Sequence, residues 1–364
     1  YTNPLAALRP TTTSASAHTR RPYKATFAYL ISASSGDTVR LKRLLLALYH
    51  PANYYLVHVD AAAPEAEHRE ISKFVSNHSV FARVGNVWVV GKPSLVTYRG
   101  PTMLAATLHG IAALLRLAGD WDWFVNLSAA DYPLVTQDDL IDAFSELPKD
   151  MNFVQHNSHL GWKLNKRAKP ILIDPGLYRA KKSQIFWVLK QRELPTAFKL
   201  YTVGWDNLPR TLLLYYTNFV SSPEFYFQTI ICNSDEFKGT TVVNSDLHYI
   251  SWDNPPKQHP RTLGLRDYKR MVSSNHPFAR KFKQNDSVLR RIDRELLKRG
   301  PRQFAFGGWC SDGKDSLSGN KCAGLKWENF GTLRPGPGSR RLRIVLRKLI
   351  SKSPQRLERR VCRW

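Results

Sequence analysis

Short apolar runs with strand character alternate with amphipathic segments of helical spacing in the N-terminal part of the chain. This alternation constrains the fold more than any other feature. The predicted strands span 25–33, 54–60, 87–90 and 123–128, and the predicted helices span 38–49, 65–76, 101–118 and 138–144. Strands that alternate with helices favour a mostly parallel sheet. We therefore expect an α/β fold that binds its ligand beyond the carboxyl ends of the strands.

Two acidic residues lie where such a sheet would bind a ligand. Asp60 ends the second predicted strand, and Asp131 follows the fourth. Asp60 could equally cap its strand, and Asp131, which precedes Tyr-Pro, could form a turn. The chain has neither a Gly-x-Gly-x-x-Gly fingerprint nor a Walker loop, so the sequence predicts neither a dinucleotide-binding fingerprint site nor a P-loop.

Sugar transfer from a nucleotide donor needs a carboxylate base and positive charge for the departing diphosphate. That charge comes from a divalent metal, usually held by Asp-x-Asp, or from fixed Arg and Lys side chains. The Asp-Trp-Asp at 120–122 precedes a strand, at the wrong edge of the sheet, and we interpret it as a turn and strand entry. Better candidates to stabilise the charge of the diphosphate are Arg261, Arg280 and Lys281. The alternative is that these residues are ordinary solvated charges.

The formal net charge of +25 favours polyanions, anionic membranes or phosphorylated ligands. This charge is densest in residues 334–364, which carry eleven Lys and Arg against one acid, Glu358. This tail is typical of a basic amphipathic or disordered appendage. Because the positive charge is concentrated in the tail, it argues against nucleic-acid binding by the core. A nucleic-acid binder remains the alternative function that the net charge suggests.

Cysteine spacing indicates an oxidising compartment. Cys310 and Cys322 close a short Gly, Asp and Ser-rich loop, which predicts a local disulfide. A zinc site would need four ligands, and there is no second close pair. Three sequons, at Asn77, Asn126 and Asn285, weakly support a lumenal setting, although Asn126 lies inside a predicted strand and is expected to stay unmodified.

The N-terminal residues 1–22 are rich in Thr, Ser, Ala and Pro and are predicted to form a stem or linker. No run of eighteen apolar residues occurs, so no membrane span is expected within the chain. Because the chain begins at Tyr1 and not at Met, a membrane anchor could precede it.

Five motifs occur in one order along the chain. They are Asn-Leu-Ser-Ala-Ala-Asp-Tyr-Pro-Leu (126–134), Ser-Ser-Pro-Glu (221–224), His-Tyr-Ile-Ser-Trp-Asp (248–253), His-Pro-Arg (259–261) and Phe-Ala-Arg-Lys-Phe (278–282). Together they resemble the core-2/I-branching glycosyltransferase family, over about residues 22–330. The plant branch is the most similar, and it includes β-glucuronosyltransferases that act on arabinogalactan.

The resemblance implies a GT-A-like fold, inversion at the anomeric carbon, a UDP-sugar donor, and neither a metal nor another cofactor. It assigns Glu224 as catalytic base and Trp252 as a platform under the acceptor sugar. Donor binding is assigned to four residues: Asp60, Asp131, Arg261 and Lys281. It further implies a type II Golgi membrane protein with a lumenal catalytic domain at 23–330, a basic tail at 331–364, and no nucleic-acid partner.

The expected reaction is transfer of glucuronic acid to a hydroxyl of a galactan or arabinogalactan. N-acetylglucosaminyl and xylosyl transfer within the same family are the alternatives. Two more of the assigned residues have structural alternatives. An acid after Ser-Ser-Pro, as at Glu224, also suits a helix N-terminus, and Trp252 could belong to the core.

Three departures from the family surround the expected acceptor side. An acceptor-side segment is missing near 202–204, Phe225 stands where the plant branch usually has Gly, and Val242-Val243 carries one extra residue before Asn244. Loss of a segment removes buried area and leaves backbone groups unpaired. The sequence therefore also predicts a weak or inactive enzyme, or a glycan-binding relative without catalysis.

Overall fold

The structure is a computed structural model of the chain. It describes residues 23–97, 99–156, 161, 163–178, 186–194, 208–238, 241–255, 257, 259–305, 307–309 and 331–351. By its internal contacts the chain divides into two units. Unit 1 comprises residues 1–93, 111–147 and 247–346, and unit 2 comprises residues 94–110, 148–246 and 347–364.

Strands and helices alternate from residue 27 onward. The strands are β1 (Phe27–Ala33), β2 (Tyr54–Val59), β3 (Val87–Val89), β4 (Trp123–Ser128), β5 (Asp131–Pro133), β6 (Asn152–Phe153), β7 (Ile171–Ile173), β8 (Phe186–Leu189), β9 (Val242–Val243), β10 (His248–Ile250) and β11 (Phe278–Arg280). The α-helices are α1 (Thr38–Leu48), α2 (Glu65–Asn77), α3 (Ser79–Val84), α4 (Thr102–Leu117), α5 (Gln137–Phe144), α6 (Leu208–Tyr216), α7 (Tyr226–Ile231), α8 (Asp235–Lys238), α9 (Tyr268–Ser273), α10 (Ser287–Glu295) and α11 (Pro337–Ile350).

The main sheet of unit 1 has the order β3-β2-β1-β4, and all of its pairs are parallel. Central β1 is buried along almost its whole length, which explains its continuous apolar sequence, Phe-Ala-Tyr-Leu-Ile-Ser-Ala. Helix α1 buries Leu41, Leu44, Leu45 and Leu48, the residues whose spacing predicted it. The prediction of an α/β fold with a mostly parallel sheet is confirmed.

A smaller sheet of unit 1 has the order β10-β11-β5. Strands β10 and β11 are parallel, and β5 is antiparallel to β11. The register of that antiparallel pair places Asp131 opposite Arg280. The smaller sheet therefore joins three of the five motifs, those at 126–134, 248–253 and 278–282, although they are far apart in the sequence.

A buried polar network surrounds Tyr132 in unit 1. The Tyr132 hydroxyl donates to Asp293 Oδ1 at 2.6 Å and accepts from Arg299 Nη1 at 2.8 Å. Arg43 Nη2 lies 2.6 Å from Asp293 Oδ2. Burial raises the pKa of Tyr132 well above its usual range, so the hydroxyl keeps its proton and can donate it. The network connects β5 to α1 and α10.

The basic tail contributes a helix to unit 1. Of the two alternatives for this tail, the described residues 337–350 adopt the amphipathic one, with Leu342 and Leu346 buried. The segment before α11 binds carboxylates of α5: Arg334 N donates to Asp138 at 2.7 Å and Gly336 N to Asp139 at 2.6 Å. Both aspartates are almost fully buried, and hydrogen bonds of this kind compensate that burial.

Unit 2 has an aromatic core. Phe225, 7% exposed, packs against Phe219 with ring centroids 5.0 Å apart. The other buried members of this core are Leu104, Ala168, Leu212, Tyr216 and Tyr226. The aromatic side chain at position 225, where the plant branch usually has Gly, is therefore part of the core. The expected missing segment near 202–204 lies outside the described residues.

No helix among the described residues is both long and apolar enough to cross a membrane.

Candidate active site

The carboxyl end of β1 contacts both acidic loops that the sequence singled out. Asp60 N donates to Ala33 O at 2.9 Å, and Ala129 N donates to Ser32 O at 2.9 Å. Asp60 and Asp131 are 4% and 3% exposed, respectively. Both acids therefore lie at the sheet edge where the sequence placed them, but their side chains are largely covered.

The two carboxylates also have structural roles. Asp60 Oδ1 accepts from Ala62 N at 2.8 Å, which closes the turn after β2. Asp131 Oδ2 accepts from the backbone N–H and the hydroxyl of Ser128, at 2.6 and 3.0 Å. These contacts match the structural alternatives for both residues, a strand-end cap for Asp60 and a turn for Asp131. They leave Asp131 Oδ1 facing Arg280, with Nε at 3.3 Å.

Basic residues gather beside Asp131 in unit 1. Lys281 follows Arg280, and its carbonyl accepts from Leu263 N at 2.9 Å, which places the segment starting at Arg261 next to it. Phe282 N donates to Ala130 O at 3.0 Å, so Lys281 also runs beside the Asp131 loop. The fold thus brings together Asp131, Arg261 and Lys281, which are separated by up to 150 residues in the sequence.

Arg261 is held by a partner that the sequence analysis did not identify. Its Nη2 lies 2.5 Å from Asp267 Oδ1, and its Nη1 donates to Asp267 Oδ2 at 3.2 Å. The hydrogen bonds that Arg261 donates to the Asp267 carboxylate raise the pKa of Arg261. Burial of Asp267 opposes ionisation, but hydrogen bonds from Arg261 and Gly264 N outweigh it and hold the pKa of Asp267 below its usual value. This paired geometry orients the guanidinium.

Lys281 differs from Arg261 in its surroundings. No hydrogen bond or ion pair to its Nζ occurs among the residues that the structure describes. Its side chain is partly exposed. Of the basic side chains Arg261, Arg280 and Lys281, Lys281 therefore has the fewest protein contacts that would compete with a ligand.

Trp252, beyond the end of β10 in unit 1, is 50% exposed. The neighbouring Ser251 binds Arg261 through its carbonyl, which accepts from Arg261 N at 2.8 Å. An exposed indole does not fit the alternative that Trp252 belongs to the core. Its flat apolar face could contact the C–H face of a sugar ring.

Unit 2 carries Glu224 at the end of a 3-10 turn, Ser222–Glu224, directly before α7. Ser221 adopts a left-handed backbone with φ of 58°, and its N–H donates to Arg99 O at 2.7 Å. Ser222 Oγ donates to Tyr216 O at 2.7 Å and closes the end of α6. The Ser-Ser-Pro lead therefore builds the turn that presents Glu224.

The Glu224 side chain is 39% exposed and can be reached from solvent. Its Oε2 lies 2.6 Å from Arg167 Nη1, an ion pair that the sequence analysis missed. The two residues are far apart in sequence, and no local pattern connects them. Glu224 precedes α7, so its position is also consistent with the alternative that its carboxylate stabilises a helix N-terminus.

The Asp-Trp-Asp at 120–122 has a structural role, as predicted. Asp122 Oδ2 accepts from Thr26 N at 2.9 Å, and Asp120 Oδ1 accepts from the Tyr54 hydroxyl at 2.9 Å. Both contacts lie at the amino end of the main sheet, at the start of β1, β2 and β4. Within the described ranges, no cluster of three His, Cys, Asp or Glu side chains has a geometry that could hold a metal ion.

Cysteine pairing is only partly visible. Cys310 and Cys322, the predicted local disulfide, lie outside the described residues. Cys232, at the end of α7, is disulfide-bonded and buried. Its partner is not among the described residues.

Comparison with known proteins gives a consistent family assignment. The beta-glucuronosyltransferases GlcAT14A and GlcAT14B of Arabidopsis thaliana are 55% and 54% identical to this chain. Each match covers 89% of this chain, and 75% and 77% of the respective relative. Xylosyltransferase 2 of Homo sapiens is 27% identical, over 74% of this chain and 33% of its own length. Residues 27–272 match the Core-2/I-Branching enzyme family. The resemblance inferred from the five motifs is confirmed, and the chain belongs to the Core-2/I-branching enzyme family.

Proposed function

We propose that this protein is an inverting glucuronosyltransferase that moves glucuronic acid from a UDP-sugar to a hydroxyl of a galactan or arabinogalactan glycan. The observation that carries the proposal is the 55% identity with a relative named a beta-glucuronosyltransferase. This identity extends over both units, since the match covers 89% of the chain.

The proposed reaction is a single displacement. The acceptor oxygen forms a bond to the anomeric carbon while the bond from that carbon to the diphosphate oxygen breaks, and UDP leaves with the electron pair. Glu224 takes the proton of the acceptor hydroxyl. Its exposed carboxylate supports this role, because a base must be within reach of the hydroxyl group.

Arg261 and Lys281 would stabilise the negative charge that grows on the diphosphate, without a metal. Asp267 holds the Arg261 guanidinium in a fixed orientation, which favours directional hydrogen bonds. Lys281 adds a point charge that is not committed to a described partner. Asp60 and Asp131 are proposed to contact the nucleoside side of the donor, and Trp252 the acceptor ring.

Xylosyl transfer is the second candidate function, since human xylosyltransferase 2 is a more distant relative. Calorimetric titration with UDP-glucuronic acid, UDP-xylose and UDP-N-acetylglucosamine distinguishes the donors. We expect UDP-glucuronic acid to bind most tightly. Tighter binding of another donor would overturn the proposed specificity and leave the transferase assignment in place.

Transfer to a galactan oligosaccharide tests the mechanism. Glu224→Gln should lower kcat by at least about 10²-fold while UDP binding persists, because only the proton acceptor is lost. Transfer that survives this change would exclude Glu224 as the base. Transfer that EDTA abolishes and Mn²⁺ restores would contradict the metal-independent mechanism. Donor binding without turnover in the wild-type chain would indicate a non-catalytic glycan-binding relative.

A lumenal Golgi location with an N-terminal membrane anchor is part of the same proposal. Asn77 and Asn285 are exposed in the structure, as glycosylated sequons must be, and Cys232 is disulfide-bonded. Asn126 lies in β4. Expression through the secretory pathway of a eukaryotic cell should give mass shifts, removable by endoglycosidase, at Asn77 or Asn285. Absence of any such modification, with reduced cysteines, would contradict this location.

A further inference from the structure

Arg167 in unit 2 faces the proposed base. Its Nη1 lies 2.6 Å from Glu224 Oε2, the shortest approach of any basic group to that carboxylate among the described residues. The Arg167 side chain is 18% exposed, and that of Glu224 is 39% exposed. The guanidinium is therefore the more covered partner, and the carboxylate faces solvent more.

The backbone around Arg167 is anchored independently of Glu224. Arg167 lies in a π-helical turn, Leu164–Ala168, and the next residue, Ala168, is fully buried in the aromatic core of unit 2. Arg192 Nε donates to Ala168 O at 2.9 Å, and Arg192 N donates to Lys169 O at 2.9 Å. The turn that carries Arg167 is thus attached to the core at its last residue.

Arg192 is itself held by aromatic rings. Its guanidinium carbon lies 4.3 Å from the ring centroid of Tyr215 and 5.6 Å from that of Phe219. Phe219 in turn packs on Phe225, the residue after Glu224. The turn of Arg167 and the turn of Glu224 therefore rest on the same aromatic core, which sets their separation.

We propose that Arg167 is a positioning residue for the Glu224 carboxylate. It holds one carboxylate oxygen by a charge-assisted contact and leaves the other oxygen to take the proton of the acceptor hydroxyl. This inference rests on the proposed role of Glu224 as base. A carboxylate without this cation would rotate more freely.

Kinetics of three variants test the proposal. Arg167→Gln should lower kcat at least about tenfold with little change in donor KM, because orientation of the base affects the chemical step. Arg167→Lys retains the positive charge and should recover part of the loss. Lys166→Gln is the matched control, since it removes the same charge from the exposed neighbouring residue, and should behave like wild type.

A chemical readout separates this inference from the proposed function. Carbodiimide reacts with the carboxyl groups that it can reach. Amidation of the Glu224 peptide, followed by mass spectrometry at one fixed pH, should therefore be faster in Arg167→Gln, where no guanidinium covers the carboxylate, than in wild type. Arg167→Lys and Lys166→Gln should remain close to wild type. The unfolding midpoints should stay within about 4 °C of one another, because a partly exposed ion pair contributes little to stability.

The outcomes are distinct. Equal labelling rates and equal kcat in wild type and Arg167→Gln would overturn the positioning role. It is also possible to separate the two ideas. If the wild-type chain transfers no sugar but Glu224 labels faster after Arg167→Gln, the proposed function is refuted. The ion pair with Arg167 would still control the reactivity of the Glu224 carboxylate. A large fall in the unfolding midpoint of Arg167→Gln that Arg167→Lys does not restore would show that Arg167 has a packing role instead.

Discussion

Removal of a single oxygen, by Tyr132→Phe, should destabilise unit 1 by about 2 kcal/mol. The Tyr132 hydroxyl donates to Asp293 at 2.6 Å and accepts from Arg299 at 2.8 Å, and the Arg299 side chain is only 1% exposed. Hydrogen bonds to charged groups contribute about 1.5–3 kcal/mol. Arg299 Nη1 would keep Asp293 Oδ1 at 3.2 Å but lose its shortest acceptor, and as a buried group it cannot turn to water instead. Phenylalanine preserves the ring, so the packing contribution stays nearly constant.

Urea unfolding monitored by tryptophan fluorescence measures this cost, with Tyr54→Phe as the control. The Tyr54 hydroxyl also donates to a carboxylate, Asp120 at 2.9 Å, but this hydrogen bond is exposed to solvent. Its loss should cost less than about 1 kcal/mol, because water replaces the missing partner. The thermal midpoint of Tyr132→Phe should fall by about 4–8 °C. Equal, small losses in both variants would refute the argument that the buried network stabilises unit 1.

Three further predictions concern other parts of the chain. Phe225→Ala removes a ring that is 7% exposed, and it should cost about 3–5 kcal/mol in urea unfolding; a cost below about 1 kcal/mol would contradict the core position of Phe225. Gly100→Ala should lower the unfolding midpoint strongly, because an added Cβ would come within 1.9 Å of the buried Asp174 carboxylate; an unchanged midpoint would refute this contact. Burial lowers the pKa of His50 from 6.5 to about 3, so the unfolded chain binds a proton that the folded chain excludes, and stability falls by about 1.4 kcal/mol per pH unit below 6.5. Burial raises the pKa of Asp138 to about 6, which acts in the opposite direction between 3.8 and 6. Because His50 Nε2 lies 3.6 Å from Asp138 Oδ1, the two groups titrate as a pair, and His50→Gln changes both contributions. The stability difference between wild type and His50→Gln should therefore vary with pH below 6.5, and a difference that does not vary would exclude this pair as its source.

The parallel sheet could be predicted because its signals are local. The apolar run of β1 and the periodicity of α1 depend only on neighbouring residues, and both elements form within two residues of the predicted bounds. The five short motifs led to the family for a similar reason, since each is read from adjacent residues.

Other features could not be predicted because they depend on distant partners. Strands β5 and β11 have three residues each, too few to show a periodicity, and they form only because they pair within the smaller sheet. The Arg167–Glu224 ion pair joins two segments without any common pattern. The sequence left the tail either amphipathic or disordered, because helix α11 carries many cations beside only three buried apolar positions, Leu342, Val345 and Leu346. Asp267, six residues after Arg261, was the one missed partner that a search of nearby acids could have found.

The attachment of α11 to α5 has a consequence for the order in which the chain folds during synthesis. Asp139 of α5 accepts a hydrogen bond from Gly336 N, which lies 197 residues further along the chain. Asp142 forms an ion pair at 2.9 Å with Arg343, which lies 201 residues further along. Contacts of such long sequence separation form late and slow folding. A nascent chain therefore carries the carboxylates of α5 without these partners until residues 336–343 have been translated. Helix α11 thus joins α5 late in assembly, and incompletely assembled chains of this kind are prone to aggregation.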